Sequence, residues 1–154
     1  MRFSLLALAF GLLASLVACD MGPATSPTKK KPGSTPGEPE WTVTHILIAT
    51  SDSPAPQHEG KVLRSKPVGK QVAESLIAQI QAGRSFDELV VKFTGDVDGS
   101  GKPNTNNGKP GSYTFGPGKM VPAFEKAAKE LAVGQVTPVP VETQFGYHII
   151  RRDK

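Results

Sequence analysis

Trp41–Ala49, WTVTHILIA, is an unbroken run of β-branched and apolar residues with a histidine at its centre. Such a run reads as a buried strand. A second run lies near the C-terminus, where residues 143–152 read TQFGYHIIRR and set His148 beside Ile149 and Ile150. The two strongest strands therefore each carry an imidazole. A buried polar group left unpaired costs ~1–3 kcal/mol, so both rings need partners. They can serve each other, and Thr143 offers a nearby hydroxyl. Taken alone, a histidine in a buried strand is more often structural than functional. His58, in a proline-rich loop, reads as solvated.

Working outward, residues 50–65 form a long loop without strong periodicity. Val68, Val72, Leu76 and Ile80 recur every four residues, an amphipathic helix that ends at Gly83. Ser85-Phe86-Asp87-Glu88 is a capping box opening a second helix through Phe93. Residues 95–118 hold seven glycines and three prolines, a loop-rich stretch with one short strand near 113–115. Pro122 suits the first turn of a third helix, with Phe124, Ala127, Ala128 and Leu131 as its apolar face and Gly134 past its end. Residues 136–141 and 143–152 read as two closing strands. This order predicts an α+β domain, with helices packed on a mainly antiparallel sheet.

The N-terminus reads differently. Arg2 precedes an apolar run from Leu5 to Ala18. That run is shorter than the ~20 residues a membrane-spanning helix needs. Residues 1–18 fit a secretory signal peptide. Leu16-Val17-Ala18-Cys19 looks like a bacterial lipobox, which would make Cys19 a lipidated mature N-terminus. Residues 19–40 would then be a lipidated, disordered tether, because the five prolines and three glycines of 20–40 leave almost nothing to bury. Residues 41–154 remain as the folded body.

Composition removes several functions. The chain has 154 residues, one cysteine, three histidines and a formal charge of +4. A lone cysteine makes no internal disulfide and no multi-cysteine metal site. The basic bias is mild and aromatics are only 6%, which disfavours nucleic-acid binding. No GxSxG, HExxH or phosphate-binding Gly-rich motif is present, so a hydrolase is disfavoured.

Four stretches together resemble the parvulin-type peptidyl-prolyl cis–trans isomerases: THIL at 44–47, GRSFDELVVKF at 83–93, GKMVPAFE at 118–125 and VETQFGYHII at 141–150. The resemblance covers nearly all of 43–152. It implies a four-stranded, mainly antiparallel sheet surrounded by helices. His45 and His148 match the family's paired central histidines, and Thr143 matches the hydroxyl that joins their network. Asp96 matches the acidic position facing the prolyl bond, with Asp98 as a competing counterpart. Met120 and Phe124 match the walls of the proline pocket, and Phe145 a further apolar wall.

One departure stands out. The family usually has a Gly-Gly-Asp-Leu-Gly-type run where this chain reads GKPGSYTF at 108–115, so Tyr113 or Phe115 is expected to replace an apolar pocket residue. The stretch TSDSP at 50–54 has no arginine, which argues against a preference for phosphorylated substrates. The implied protein is a foldase for Xaa-Pro bonds of exported or envelope proteins. It would be a monomer, lipid-anchored to a bacterial membrane through Cys19, without cofactor, metal or nucleic acid. The competing readings are a non-catalytic chaperone or peptide-binding module on the same fold, and a surface lipoprotein with an adhesive or structural role.

Overall fold

The computed structural model describes residues 39–54, 64–98, 100–106 and 108–154. The stretches expected to be a signal peptide and tether, Cys19 included, lie outside the described residues except for 39–40, as does the middle of the 50–65 loop. Among the described residues no helix is long and apolar enough to cross a membrane.

The elements run β1 (Trp41–Ala49), α1 (Lys66–Gln81), α2 (Phe86–Phe93), β2 (Thr105–Asn106), β3 (Lys109–Pro110), β4 (Ser112–Phe115), α3 (Pro122–Glu130), β5 (Val141–Thr143) and β6 (Gly146–Arg152). Four strands form one antiparallel sheet in the order β4-β1-β6-β5, and β2 and β3 pair separately. The fold is α+β, as expected.

β1 lies in the middle of this sheet and both its faces are covered, which explains why its sequence does not alternate between apolar and polar. Ile46, Ile48, Tyr147 and Ile149 pack against α1 and α2 through Leu76, Ile77, Leu89 and Val90. Val43 and Ile150 face the other way, against Phe124, Ala128 and Leu131 at α3. Side chains alternate faces along a strand, so His45 shares the α3 face with Val43. In the register, His45 stands opposite Ile150 and Leu47 opposite His148. The two histidines are thus diagonal neighbours on one face, within reach for rings.

Helix starts follow their local chemistry. The Ser85 hydroxyl accepts the Glu88 N–H at the start of α2. Pro122 opens α3, where a missing N–H costs nothing. α1 begins at Lys66, two residues before the apolar periodicity becomes visible, with Pro67 in its first turn.

The C-terminal strands correct the sequence reading. Residues 136–141 form no continuous strand; Val136 makes an isolated bridge to Arg151, and pairing resumes only at Val141. Pro138 and Pro140 supply no N–H to a ladder, which accounts for the gap. The expected strand 143–152 is broken by a turn at Gln144 and Phe145, and β6 starts at Gly146. Gly146 has φ +126, and a Cβ there would lie 2.2 Å from the Ile48 carbonyl oxygen. Only glycine allows this approach.

Candidate active site

Beyond its pairing with β4, the free edge of β1 must find other partners. The Gly95 N–H donates to the Leu47 carbonyl at 2.6 Å, and the Leu47 N–H donates to the Thr94 hydroxyl at 3.2 Å. The His45 N–H donates to the Gly111 carbonyl. These bonds dock the segment after α2 onto β1 and bring Asp96 to the His45 ring.

A chain of side-chain hydrogen bonds results. His45 Nε2 meets Asp96 Oδ2 at 2.8 Å. The Nδ1 atoms of His45 and His148 lie 3.2 Å apart, and the rings stack with centroids 5.3 Å apart. His148 Nε2 meets the Thr143 hydroxyl at 2.8 Å, and Thr143 also accepts the Phe145 N–H at 3.1 Å. Asp96, as an anion, can only accept, so His45 donates from Nε2. With His45 neutral, its Nδ1 accepts from His148 Nδ1–H, leaving His148 Nε2 to accept from Thr143. Every donor points along the chain toward Asp96.

Electrostatics set the two ends of this chain apart. Burial holds the His148 imidazole well below its ordinary range, at about 3, with the neighbouring His45 acting the same way. Burial alone would raise Asp96, but His45, by its hydrogen bond and its charge when protonated, outweighs it together with hydrogen bonds from Tyr113 and Asn104, and the carboxyl is held at about 2. The Tyr113 phenol donates to Asp96 Oδ2 at 2.7 Å, and Asn104 Nδ2 donates to Oδ1 at 2.6 Å. Tyr113 is itself pushed up, by burial first, by its hydrogen bond to Asp96 second and by the Asp96 charge third.

Over the histidines lies an open cavity of about 580 Å³. Phe124 stands edge-on to both rings, with centroids 5.3 and 5.2 Å away. Leu47, Val97, Met120, Val121 and Phe145 complete the apolar wall, while Asp96, Asn104 and Tyr113 contribute the polar groups beside them. The size suits a small apolar ligand group.

The seven catalytic and pocket residues expected from sequence, His45, Asp96, Met120, Phe124, Thr143, Phe145 and His148, meet here, though Thr143 does so behind His148 rather than in the cavity wall. Asp98 is exposed and its carboxylate closes a loop onto Ser100 and Lys102, so Asp96 is the acid against the histidines. Tyr113 faces the cavity, whereas Phe115 is buried with Trp41 and Phe124. Sequence reading missed Asn104, Val97 and Thr94. Asn104 sits in a polar stretch among other asparagines, and nothing in its local pattern marks it.

A hydroxyl bonded to an imidazole can signal a nucleophile. Here Thr143 is outside the cavity wall and tied to the turn by the Phe145 N–H, so a bound molecule meets apolar walls, dipoles, the Asp96 anion and the Lys119 side of the rim instead. Such a site can hold a chain segment while a bond rotates, and the antiparallel sheet covered by helices on both faces is that of the parvulin-type isomerases.

The chain belongs to the PPIC-type PPIase family, whose rotamase domain model matches residues 45–154. Over 117 residues it is 36% identical to foldase protein PrsA 2 of Listeria monocytogenes, covering 76% of this chain and 31% of the relative. The crystal structure of the peptidylprolyl isomerase PrsA from Bacillus cereus is similar with a TM-score of 0.54 at 30% identity, over 76% of this chain and 35% of that one. Peptidyl-prolyl isomerase ESS1 from Candida albicans gives 0.63 at 26% identity, over 75% and 63% of the two chains. The chain spans about a third of the length of the curated relative.

Proposed function

We propose that this chain catalyses cis–trans isomerisation of Xaa-Pro bonds in exported or envelope proteins, as a foldase held to a bacterial membrane by lipid on Cys19. The observation that carries the activity is the hydrogen-bonded chain Asp96–His45–His148–Thr143 beneath an apolar cavity. Rotation about a peptide bond faces ~18–20 kcal/mol because resonance keeps it planar. The planar amide is more charge-separated than the twisted one, so an apolar enclosure favours the twisted state. Each ~1.36 kcal/mol of that preference gives tenfold in rate.

Met120, Phe124 and Phe145 hold the prolyl ring while the preceding carbonyl turns. The Asp96 anion sits beside the cavity and penalises the charge-separated planar amide. His45, His148 and Thr143 hold the floor rigid and Asp96 in place, as scaffold more than as acid and base. No bond is made or broken. The lipobox-like residues 16–19 support the anchor and an exported setting, and the likeness to foldase PrsA 2 supports polypeptides as substrates. Residues 19–40 act as the leash of a monomeric domain spanning 41–154.

Refolding of a proline-limited protein tests this. Uncatalysed prolyl exchange takes tens to hundreds of seconds. The slow phase is expected to accelerate at substoichiometric amounts of this protein; an unchanged slow phase at equimolar protein refutes the reading. One observation favours the non-catalytic chaperone instead: three donors already occupy the Asp96 carboxylate. Peptide binding without faster exchange is the signature of that alternative.

A further inference from the structure

The segment between β4 and α3, residues 116–121, carries Met120 and Val121 into the cavity wall without belonging to a helix or strand. Something else must hold it. Val121, the N-cap residue of α3, offers the helix no side-chain cap. Glu125, in the first turn of α3 and 8% exposed, turns its carboxylate back onto the segment. Its Oε1 accepts the Gly118 N–H at 3.1 Å, and its Oε2 accepts the Met120 N–H at 3.5 Å. Lys129, one turn on, donates to Oε1 at 2.5 Å. A carboxylate here also complements the positive end of the helix.

A second cavity of about 450 Å³ is lined by this segment and the start of α3, through Gly118, Met120, Pro122, Glu125 and Lys129. Met120 lines both cavities, so packing does not close it in completely. A methionine is unbranched and adapts readily to such a gap. Its backbone is therefore the part that needs fixing.

We propose that Glu125 is a positioning residue for substrate, a clamp on the Gly118 and Met120 amides that sets the Met120 wall of the proline pocket; this rests on the isomerase reading above. The clamp acts on a wall that touches the prolyl ring equally in ground and twisted states. Losing it weakens binding while leaving the rate within the complex nearly unchanged.

The test uses the purified full chain and a proline peptide, with the dissociation constant, the exchange rate in the saturated complex and the Met120 methyl resonance read by NMR. Glu125→Ala is expected to weaken binding five- to tenfold, keep the saturated rate within twofold and move the Met120 methyl signal. Lys129→Met leaves both Glu125 oxygens in place to accept the Gly118 and Met120 N–H groups, and is expected to bind within twofold of wild type. Affinity of Glu125→Ala within twofold of wild type overturns the inference, as does equal weakening by Lys129→Met. If Glu125→Ala does not fold, Glu125→Gln keeps one acceptor oxygen, and intermediate affinity is expected; wild-type affinity overturns the clamp. Should wild-type protein bind peptide without speeding exchange, the isomerase reading falls, while affinity and the Met120 signal still decide the clamp.

Discussion

Replacing Tyr113 with phenylalanine removes one atom from the site and separates its electrostatics from its packing. The Tyr113 hydroxyl is one of three donors on Asp96, at 2.7 Å from Oδ2. Together with the charge of a protonated His45 they bring the carboxyl from 3.8 to about 2 against the opposing effect of burial. A hydrogen bond to a charged group is worth ~1.5–3 kcal/mol, and one pKa unit corresponds to about 1.36 kcal/mol. Asp96 keeps 17% side-chain exposure, so solvent screening brings the expected rise to about one unit. The Tyr113 ring stands edge-on to His45 with centroids 5.4 Å apart, and a phenylalanine ring keeps that contact. The Tyr113→Phe variant should therefore fold.

The assay is a pH titration of the Asp96 carboxyl carbon by NMR, in wild type and Tyr113→Phe. The midpoint is expected to move up by about one unit. The sign for stability follows. A carboxyl lowered by folding stabilises the native state above its unfolded value near 3.8, and that stabilisation is lost as pH falls through about 2. In the variant the loss is complete nearer pH 3, so acid unfolding begins earlier. An unmoved Asp96 midpoint in a folded variant refutes the three-donor account of this site.

Other substitutions probe other parts of the argument. Thr143→Val keeps the shape but leaves His148 Nε2 and the Phe145 N–H without their partner; urea unfolding should show a loss of about 1–3 kcal/mol. Gly146→Ala meets the Ile48 carbonyl at a positive φ, and circular dichroism should show a domain destabilised by more than ~4 kcal/mol or unfolded. Met120→Ala shortens a half-buried pocket wall, so calorimetry should show several-fold weaker peptide binding with little change in melting temperature.

Much of the framework was legible because its signals are local. β1 and β6 are marked by apolar runs that must be buried, and their histidines follow the register onto one face. α2 and α3 are marked by a serine cap and a proline, which act within a few residues. The stretch 136–141 misleads because its valines resemble a strand, whereas Pro138 and Pro140 forbid the ladder; the missing donors outweigh the apolar pattern there. The site's acidic end was less legible for a different reason. Choosing Asp96 over Asp98, or Tyr113 over Phe115, depends on which loop residue docks on the free edge of β1, and Asn104 reaches Asp96 only through that docking. Such contacts are tertiary and leave no periodicity.

The central claim is that this cavity speeds rotation of a prolyl bond without covalent chemistry. Exchange spectroscopy on a short proline peptide, with the full chain present at a small fraction of the peptide concentration, tests it directly. The account expects cis–trans exchange well above the rate of the peptide alone, lost when an apolar ligand fills the cavity, with no mass added to the protein. Exchange at the uncatalysed rate, with the peptide nonetheless bound, would contradict it.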